Sequence, residues 1–600
     1  MVPQPFAESI QSENPNAQSA LVTIWLVALV GTLLIWICRW TELQVYPTVL
    51  IDTDNLMRLV QAKDLLAGQG WYDPVQYRLG LESGTIMHWS RLIDAPIAAA
   101  IFIGGESFAL FAWPFLLSIF VLAGLSYGAF QFGGRETLFP TIVAGFGAMW
   151  GMNRFWYGQL DHHNMQIALL IWCVVLILPK FATARTMALA GIFCALMLAV
   201  GVETLPHVAA IGIWVSCALV SNIISRKMAS AFAYGITVTS LALVPVLLPY
   251  TQWANAMCDS FSIFQVTLAL IGGCTLLLAT TLSSTAIRLG VLGLGGLAAI
   301  AAVKLLFPAC LENPFADLPP LLRELWLDQI VETQSIVEMF GQHPLKVLAN
   351  FGLTFAGICV CITAIRIGYE RASAILFLTL IVVATMIAAW QIRGIIFATM
   401  LSIIPLAVAV TIARDITIKS RAVAVTALTM VLYTASFAPI WSLPGHAWGP
   451  ISSALLTEET SATEPEEILG ESRYCYDSAL YAVLRAEPTG VVLSSTNVGP
   501  KVLAETRHRA IAGPYHRNVD GIMFQIETMT GSPDEAKQLL ATEGVTHIAD
   551  CVNGPDAVDF TKAAPDGFQA QLIEDHTRFE WLELLPETAD TPLRIFRVVL

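Results

Sequence analysis

The sequence predicts a polytopic α-helical membrane protein of about thirteen spans that ends in an extracytoplasmic α/β domain. Three observations predict it. Hydrophobic residues are 56% of the chain and charged residues 13%, against about 45–50% and about 25% in soluble domains. The mean hydropathy is +0.66. Long apolar runs recur from residue 21 to residue 441 and then stop. A soluble globule of 600 residues cannot hide that much apolar surface, whereas lipid accepts it.

A membrane-crossing helix needs about 20 mostly apolar residues. Spans are expected at 21–39, 107–132, 138–152, 163–179, 186–203, 205–224, 229–248, 263–283, 289–307, 347–366, 373–391, 394–412 and 421–441. Arg135, Lys180 with Arg185, Arg226 with Lys227, Arg288, Arg366 with Arg371, and Arg414 with Lys419 fall in every second connection. Positive charge marks the cytoplasmic loops, so the N-terminus is expected inside and the C-terminal region outside. The first 20 residues hold no Lys or Arg. Without a basic leader region, the run from Leu21 to Cys38 is expected to remain as an anchor.

This orientation leaves three notable external segments, 40–106, 153–163 and 308–346. Ala95–Ile103, within the first, is apolar but too short to span. The expected organisation is a membrane domain over 1–445 and a soluble domain over 446–600. In the latter, VVLSS (491–495), AIAG (510–513) and VTHIAD (545–550) are expected as strands. SPDEAKQLLATEG (532–544) is expected as a helix, with Ser at its start and Gly at its end. Much of the net charge of −14 lies in this last quarter, and no basic patch points to nucleic acid. Most of the 11 Cys lie in apolar runs and behave as small hydrophobes. Cys475 and Cys551 lie in the polar region, and can pair if that region is oxidising.

The external segments hold the residues suited to chemistry. In LIDTDNLMRLVQAKDLL (50–66), Asp52 and Asp54 follow an apolar stretch. Paired carboxylates suit a hard cation or a base; the bland alternative is a helix cap on a solvated loop. Arg58 and Arg91 lie in the same segment, where an anionic group can be bound by Arg forks; long loops also escape the positive-inside bias. NRFWYGQLDHHNMQ (153–166) places Asp161, His162 and His163 at the mouth of a span. Asp161 and His163 can share one metal ion, and ionisable groups at that depth are functional suspects. LWLDQIVETQSIVEMFGQHP (325–344) holds Glu332 and Gln334, which an interfacial amphipathic helix also explains. Arg393 stands between two apolar runs at their external end, either snorkelling or meeting a phosphate.

An acidic pair in a long first loop, Asp-His-His in the second and Val-Glu-x-Gln in a late one resemble the catalytic subunit of oligosaccharyltransferase, in the GT-C superfamily of membrane glycosyltransferases. The resemblance covers about 20–441. It implies a GT-C fold in which Asp52, or Asp54 as its rival, is the first-loop catalytic aspartate. Arg58 follows six residues on, as in the eukaryotic pattern. It implies that Asp161 and His163 bind a divalent metal, Mg²⁺ or Mn²⁺, completed by the first-loop aspartate and Glu332. Glu332 also contacts the acceptor, and Arg393 holds the donor phosphate. His162, Gln334 and Arg91 remain further candidates, and Arg58 a second donor-phosphate group. The acceptor-reading motif Trp-Trp-Asp-Tyr-Gly is absent; IWSLPGHAWG (440–449) follows the last span. Gln329 stands where Thr or Ser opens the late motif.

The implied function is glycosyl transfer from a polyprenyl-(di)phosphate-linked donor at the periplasmic face of a bacterial inner membrane. The acceptor is left open among protein, polysaccharide and lipid. The rival is a transporter or flippase without chemistry, for which the Gly-rich stretch Gly290–Gly296 leaves room. Transporters place polar groups at mid-span in broken helices, whereas these carboxylates fall in loops.

Overall fold

The computed structural model of the protein describes residues 17–45, 52–312, 315, 318–444 and 473–600. Each of the expected spans corresponds to a helix. Among the described residues nine stretches are long and apolar enough to cross a membrane, by length and composition. One of them, Glu106–Met152, is two helices, Glu106–Gly133 and Leu138–Met152, joined by the 3-10 turn Gly134–Thr137. Three shorter apolar helices, His163–Leu176, Ala184–Val200 and Val423–Ala435, fill the remaining positions. Apolar side chains all round, with every backbone group bonded within its own segment, make helices the available spanning form.

Small residues set the closest crossing in the bundle. A Cβ on Gly191 would lie 2.2 Å from the Phe232 carbonyl oxygen, and one on Gly235 would lie 2.3 Å from that of Ala188. The helices Ala184–Val200 and Arg226–Leu247 thus touch backbone to backbone, as small residues allow in lipid. The helix Thr285–Leu306, which carries the Gly-rich stretch, is exposed along nearly all its length, with Arg288 and Ala302 its buried residues. It is unbroken.

The apolar stretch of the first external segment is part of a helix, Arg91–Gly104, capped by Ser90. At 14 residues it does not span. Gly105, with φ at +81°, turns the chain from it directly into Glu106–Gly133. Upstream, Val75–Gln76 (β1) and Thr85–Ile86 (β2) form an antiparallel hairpin.

The C-terminal region is α/β as expected. Its sheet contains Val491–Ser494 (β3), Arg509–Ala510 (β4), Val545–Cys551 (β5), Leu582–Leu584 (β6) and Leu593–Val598 (β7), in the order β4-β3-β5-β7-β6. β3 runs parallel to β4 and β5, while β7 is antiparallel to β5 and β6. β4 takes in only the first residue of the expected AIAG strand, and β6 and β7 were not foreseen. The helix Pro533–Thr542 has the expected Ser532 cap, in a capping box with Glu535. Cys475 and Cys551 are disulfide-bonded. A second disulfide, Cys258–Cys310, was not foreseen. The expected domain boundary at 445/446 lies outside the described residues.

One amphipathic helix joins the two halves. Thr53–Leu66 buries Leu56, Leu59 and Ala62 in the membrane-domain core. Its other face, Met57 and Val60, enters a core shared with Tyr481, Val502 and Leu593 of the sheet domain. The chain after it adds to the sheet edge: Ala510 N–H donates to Arg78 O at 2.8 Å and Gly80 N–H to Ala510 O at 2.9 Å. The first external segment is therefore clamped between the domains, and Asp52 stands at the head of the clamped helix.

Candidate active site

Asp52 is the N-cap of Thr53–Leu66, accepting from the backbone N–H of Asn55 at 3.1 Å and from its Nδ2 at 2.7 Å. Asn55 is fully buried. Its Oδ1 accepts from the backbone N–H groups of both Leu160 and Asp161 at 2.7 Å. One side chain thus sets the first acidic segment against the second. Tyr515, from the sheet domain, donates its hydroxyl to Thr53 O at 2.8 Å and pins the same turn.

Asp161 lies buried ahead of the helix His163–Leu176. Its Oδ2 meets His163 Nδ1, and its Oδ1 lies 2.6 Å from His162 Nδ1. On the other side His162 Nε2 is 3.7 Å from Glu203 Oε1, and Gln166 Nε2 donates to Glu203 Oε2 at 3.0 Å. Asp161, His162 and His163 each offer a ligand atom, and these lie within 4.8 Å of one another. Carboxylate with imidazole is a donor set that fits a divalent ion of borderline hardness.

The loops converge on an arginine. Asn153, in the left-handed conformation, ends the helix Leu138–Met152, and Arg154 follows. Its Nη2 donates to Glu332 Oε1 at 2.8 Å; its Nη1 lies 3.7 Å from Asp52 Oδ2 and 3.6 Å from Asp161 Oδ2. Three carboxylates from three segments far apart in sequence therefore share one guanidinium. Glu332 sits in the 3-10 turn Val331–Thr333. Just beyond it, Gln334 O accepts from Ile392 N–H at 3.0 Å, which fixes the turn Ile392–Gly394 holding Arg393. Among the described residues the Arg393 guanidinium has no hydrogen-bond or ion-pair partner, and its charge acts on Glu203.

The crowding separates the carboxylates. Burial opposes the charge of Asp161, yet His163 and His162 hold it well below the usual carboxylate range. Asp54 is held well above that range, by withdrawal from water first and then by Asp161, Asp52 and Glu332. Asp52, whose side chain is 47% exposed, faces Arg154. Burial works against a charge on His162, but Asp161 and Glu203 outweigh it and push it up to about 9.

The expected positions divide. Asp52, Asp161, His162, His163 and Glu332 come together, with Asp54 within electrostatic range and Arg393 tied to the Glu332 segment. Arg58 departs from the expectation of a donor-phosphate group. It is fully buried, with Nη1 donating to Asp94 Oδ1 at 2.8 Å and its guanidinium 4.4 Å from the Trp89 ring centroid. Arg91 pairs with the other oxygen of Asp94 at 3.1 Å and holds Gln69 Oε1 at 3.2 Å. Both arginines brace the first segment. Gln334 contributes its backbone oxygen. Sequence reasoning missed Arg154, Asn55, Glu203 and Tyr515. Arg154 carries a signal, a cation seven residues before Asp161 in the same short loop, and Glu203 carries one as an acidic residue ending an apolar span; Asn55 and Tyr515 carry none.

No protein-family model and no curated protein sequence matches the chain. Solved structures match in fold. The archaeal oligosaccharyltransferase AglB from Archaeoglobus fulgidus, in complex with an inhibitory peptide and a dolichol-phosphate, aligns with a TM-score of 0.62 at 14% identity, over 97% of this chain and 74% of that one. This chain has a GT-C fold. The A. fulgidus enzyme tethered to an acceptor peptide containing the NVT sequon aligns with a TM-score of 0.61 at 15% identity, over 92% and 72% of the two chains. Its complex with zinc and sulfate aligns with a TM-score of 0.56 at 15% identity, over 91% and 70%. Part of the segment after the last span is structural. Trp441 donates Nε1–H to Ala435 O at 2.9 Å and packs over Gly352, where a Cβ would come within 2.2 Å of its ring. Residues 445–449 lie outside the described residues.

Proposed function

We propose that the protein is a glycosyltransferase that moves a sugar or glycan from a polyprenyl-(di)phosphate-linked donor to an acceptor at the periplasmic face of a bacterial inner membrane. One observation carries the reading: Asp52, Asp161 and Glu332, from three segments far apart in sequence, gather at one guanidinium on a GT-C fold. The two disulfides, involving external segments by the charge count, suit an oxidising compartment.

Asp161, His163, Asp52 and Glu332 would hold a divalent ion, whose Lewis acidity offsets the charge of the leaving phosphate. The imidazole in the set suits Mn²⁺ better than Mg²⁺. Arg393 binds the donor phosphate from the side of Glu203. Asp54, held above the usual carboxylate range, takes the proton from the acceptor nucleophile, for which a base of raised basicity is suited. Asn55 and Tyr515 hold the turn bearing both aspartates in register with Asp161. The lipid tail of the donor lies in the bilayer.

The test supplies the purified protein with polyprenyl-linked donors and compares wild type, Asp161→Ala and Glu332→Ala with and without EDTA. Loss of transfer in both variants and on chelation is expected. Undiminished transfer in the variants would remove the metal assignment, and donor translocation without transfer would favour a flippase.

A further inference from the structure

A second group of metal-ligating side chains lies apart from the catalytic constellation. His88 comes from the first external segment, Asp259 from the loop after Arg226–Leu247, and His516 from the sheet domain. Each offers one ligand atom, and these atoms lie within 4.8 Å of one another. His516 Nε2 is 2.9 Å from Asp259 Oδ2, and the two imidazole centroids are 4.5 Å apart. His88 Nδ1 is buried and has no hydrogen-bond partner, an arrangement that is costly unless something binds there.

The surroundings prepare these residues. Asp259 follows Cys258, whose disulfide to Cys310 anchors it to the start of the third external segment. Arg517 donates Nη2–H to Asp259 Oδ1 at 2.6 Å and Nε–H to Oδ2 at 2.8 Å. Ligating carboxylates are commonly oriented by such outer hydrogen bonds, and a carboxylate oxygen retains a further lone pair for a cation. His88 and Asp259 line the same cavity as His162 and Glu203, so a water can complete a fourth position.

We propose that His88, Asp259 and His516 form a second, structural metal site for a zinc-class ion, which clamps the sheet domain to two external loops of the membrane domain. Two imidazoles, a carboxylate and a water make a four-coordinate set of the kind zinc takes. At bond lengths of about 2.0–2.2 Å tetrahedral ligand atoms stand roughly 3.4 Å apart, so His516 Nε2 and Asp259 Oδ2 open slightly from 2.9 Å as an ion enters, which side-chain rotation supplies. The clamp would hold the Tyr515 hydroxyl on the Asp52 turn, because His516 is its neighbour.

The experiment uses full-length protein in nanodiscs, stripped with EDTA and carrying Asp161→Ala, so that the catalytic ligand set is disabled and transfer is not the readout. Zn²⁺ binding is counted by elemental analysis, and amide exchange over 508–518 is followed. The expected result is one zinc per chain with at least tenfold slower exchange in that segment. Adding His516→Ala, or separately Asp259→Asn, should remove both effects, with circular dichroism reporting an unchanged fold. Equal zinc content with and without His516→Ala, or binding that leaves exchange over 508–518 unchanged, would overturn the proposal. Should Asp259→Asn disturb the fold by freeing Arg517, His88→Ala, which leaves that ion pair intact, decides by the same two readouts.

Discussion

Arg154 donates to Glu332 at 2.8 Å across 178 residues of sequence. That bond joins the second and third external segments, and the same guanidinium faces Asp52 and Asp161. Without a cation there, three carboxylates would confront one another, each repelling the next in a partly dry setting.

Replacing Arg154 with Met should therefore make the protein depend on added metal for its stability. After EDTA treatment the variant should unfold several degrees below wild type, and Mn²⁺ should recover most of the difference. Differential scanning fluorimetry with and without Mn²⁺ reads this. Transfer should fall as well, because Asp52, Asp161 and Glu332 lose the cation that gathers them.

Arg58 and Arg393 should fail in different ways. Arg58→Ala strands the buried Asp94 carboxylate, whose other partner is Arg91, and should cost about 3–5 kcal/mol of stability, with low yield of folded protein. Arg393→Ala should leave the unfolding temperature unchanged within about a degree, since a partly exposed surface-type change costs within about 0.5 kcal/mol, while raising KM for the lipid-linked donor. If Arg393→Ala changes only the melting temperature, its assignment to the phosphate is wrong.

Tyr515→Phe removes the hydroxyl that holds Thr53 O and little else. One such bond is worth about 1 kcal/mol, so stability should barely move. The rate constant kcat should fall a fewfold as the Asp52 turn loosens, with donor KM nearly constant. Steady-state kinetics at saturating donor separates the two.

Asp550 allows a pH test within the sheet domain. It is buried on β5, accepts from Gln569 Nε2 at 3.0 Å, and burial pushes its carboxyl up to about 6 from the ordinary 3.8. A raised carboxyl binds its proton more tightly folded than unfolded. Its contribution is fully present below 3.8 and is lost as pH rises to about 6. The gap corresponds to roughly 3 kcal/mol. Asp550→Asn should abolish that part of the slope, so the variant gains on wild type between pH 4 and 7. Amide exchange along β5 at the two values measures it; parallel slopes would sink the assignment.

The bundle was legible because lipid imposes a one-dimensional rule. Each span must be a long apolar run, and Arg135 or Arg226 with Lys227 punctuate the runs whatever the neighbours do. Carboxylates in loops were legible too, since Asp161 and Glu332 stand out against an apolar background. Strands β6 and β7 were not, because WLELL and LRIFRVVL owe their strand form to pairing with each other and with β5.

The sequence by itself determined the solvent of this protein, where its apolar spans fall and which segments carry its charges. Tertiary structure decided which charges meet. Arg58 and Arg154 are the same residue type, one six residues after Asp52 and the other seven before Asp161, with nothing local to separate them. Packing of the helix Thr53–Leu66 between two cores buries the first on Asp94, and the left-handed turn at Asn153 delivers the second to Asp52, Asp161 and Glu332. Contacts across 178 residues depend on how separate elements pack, and no local pattern encodes that.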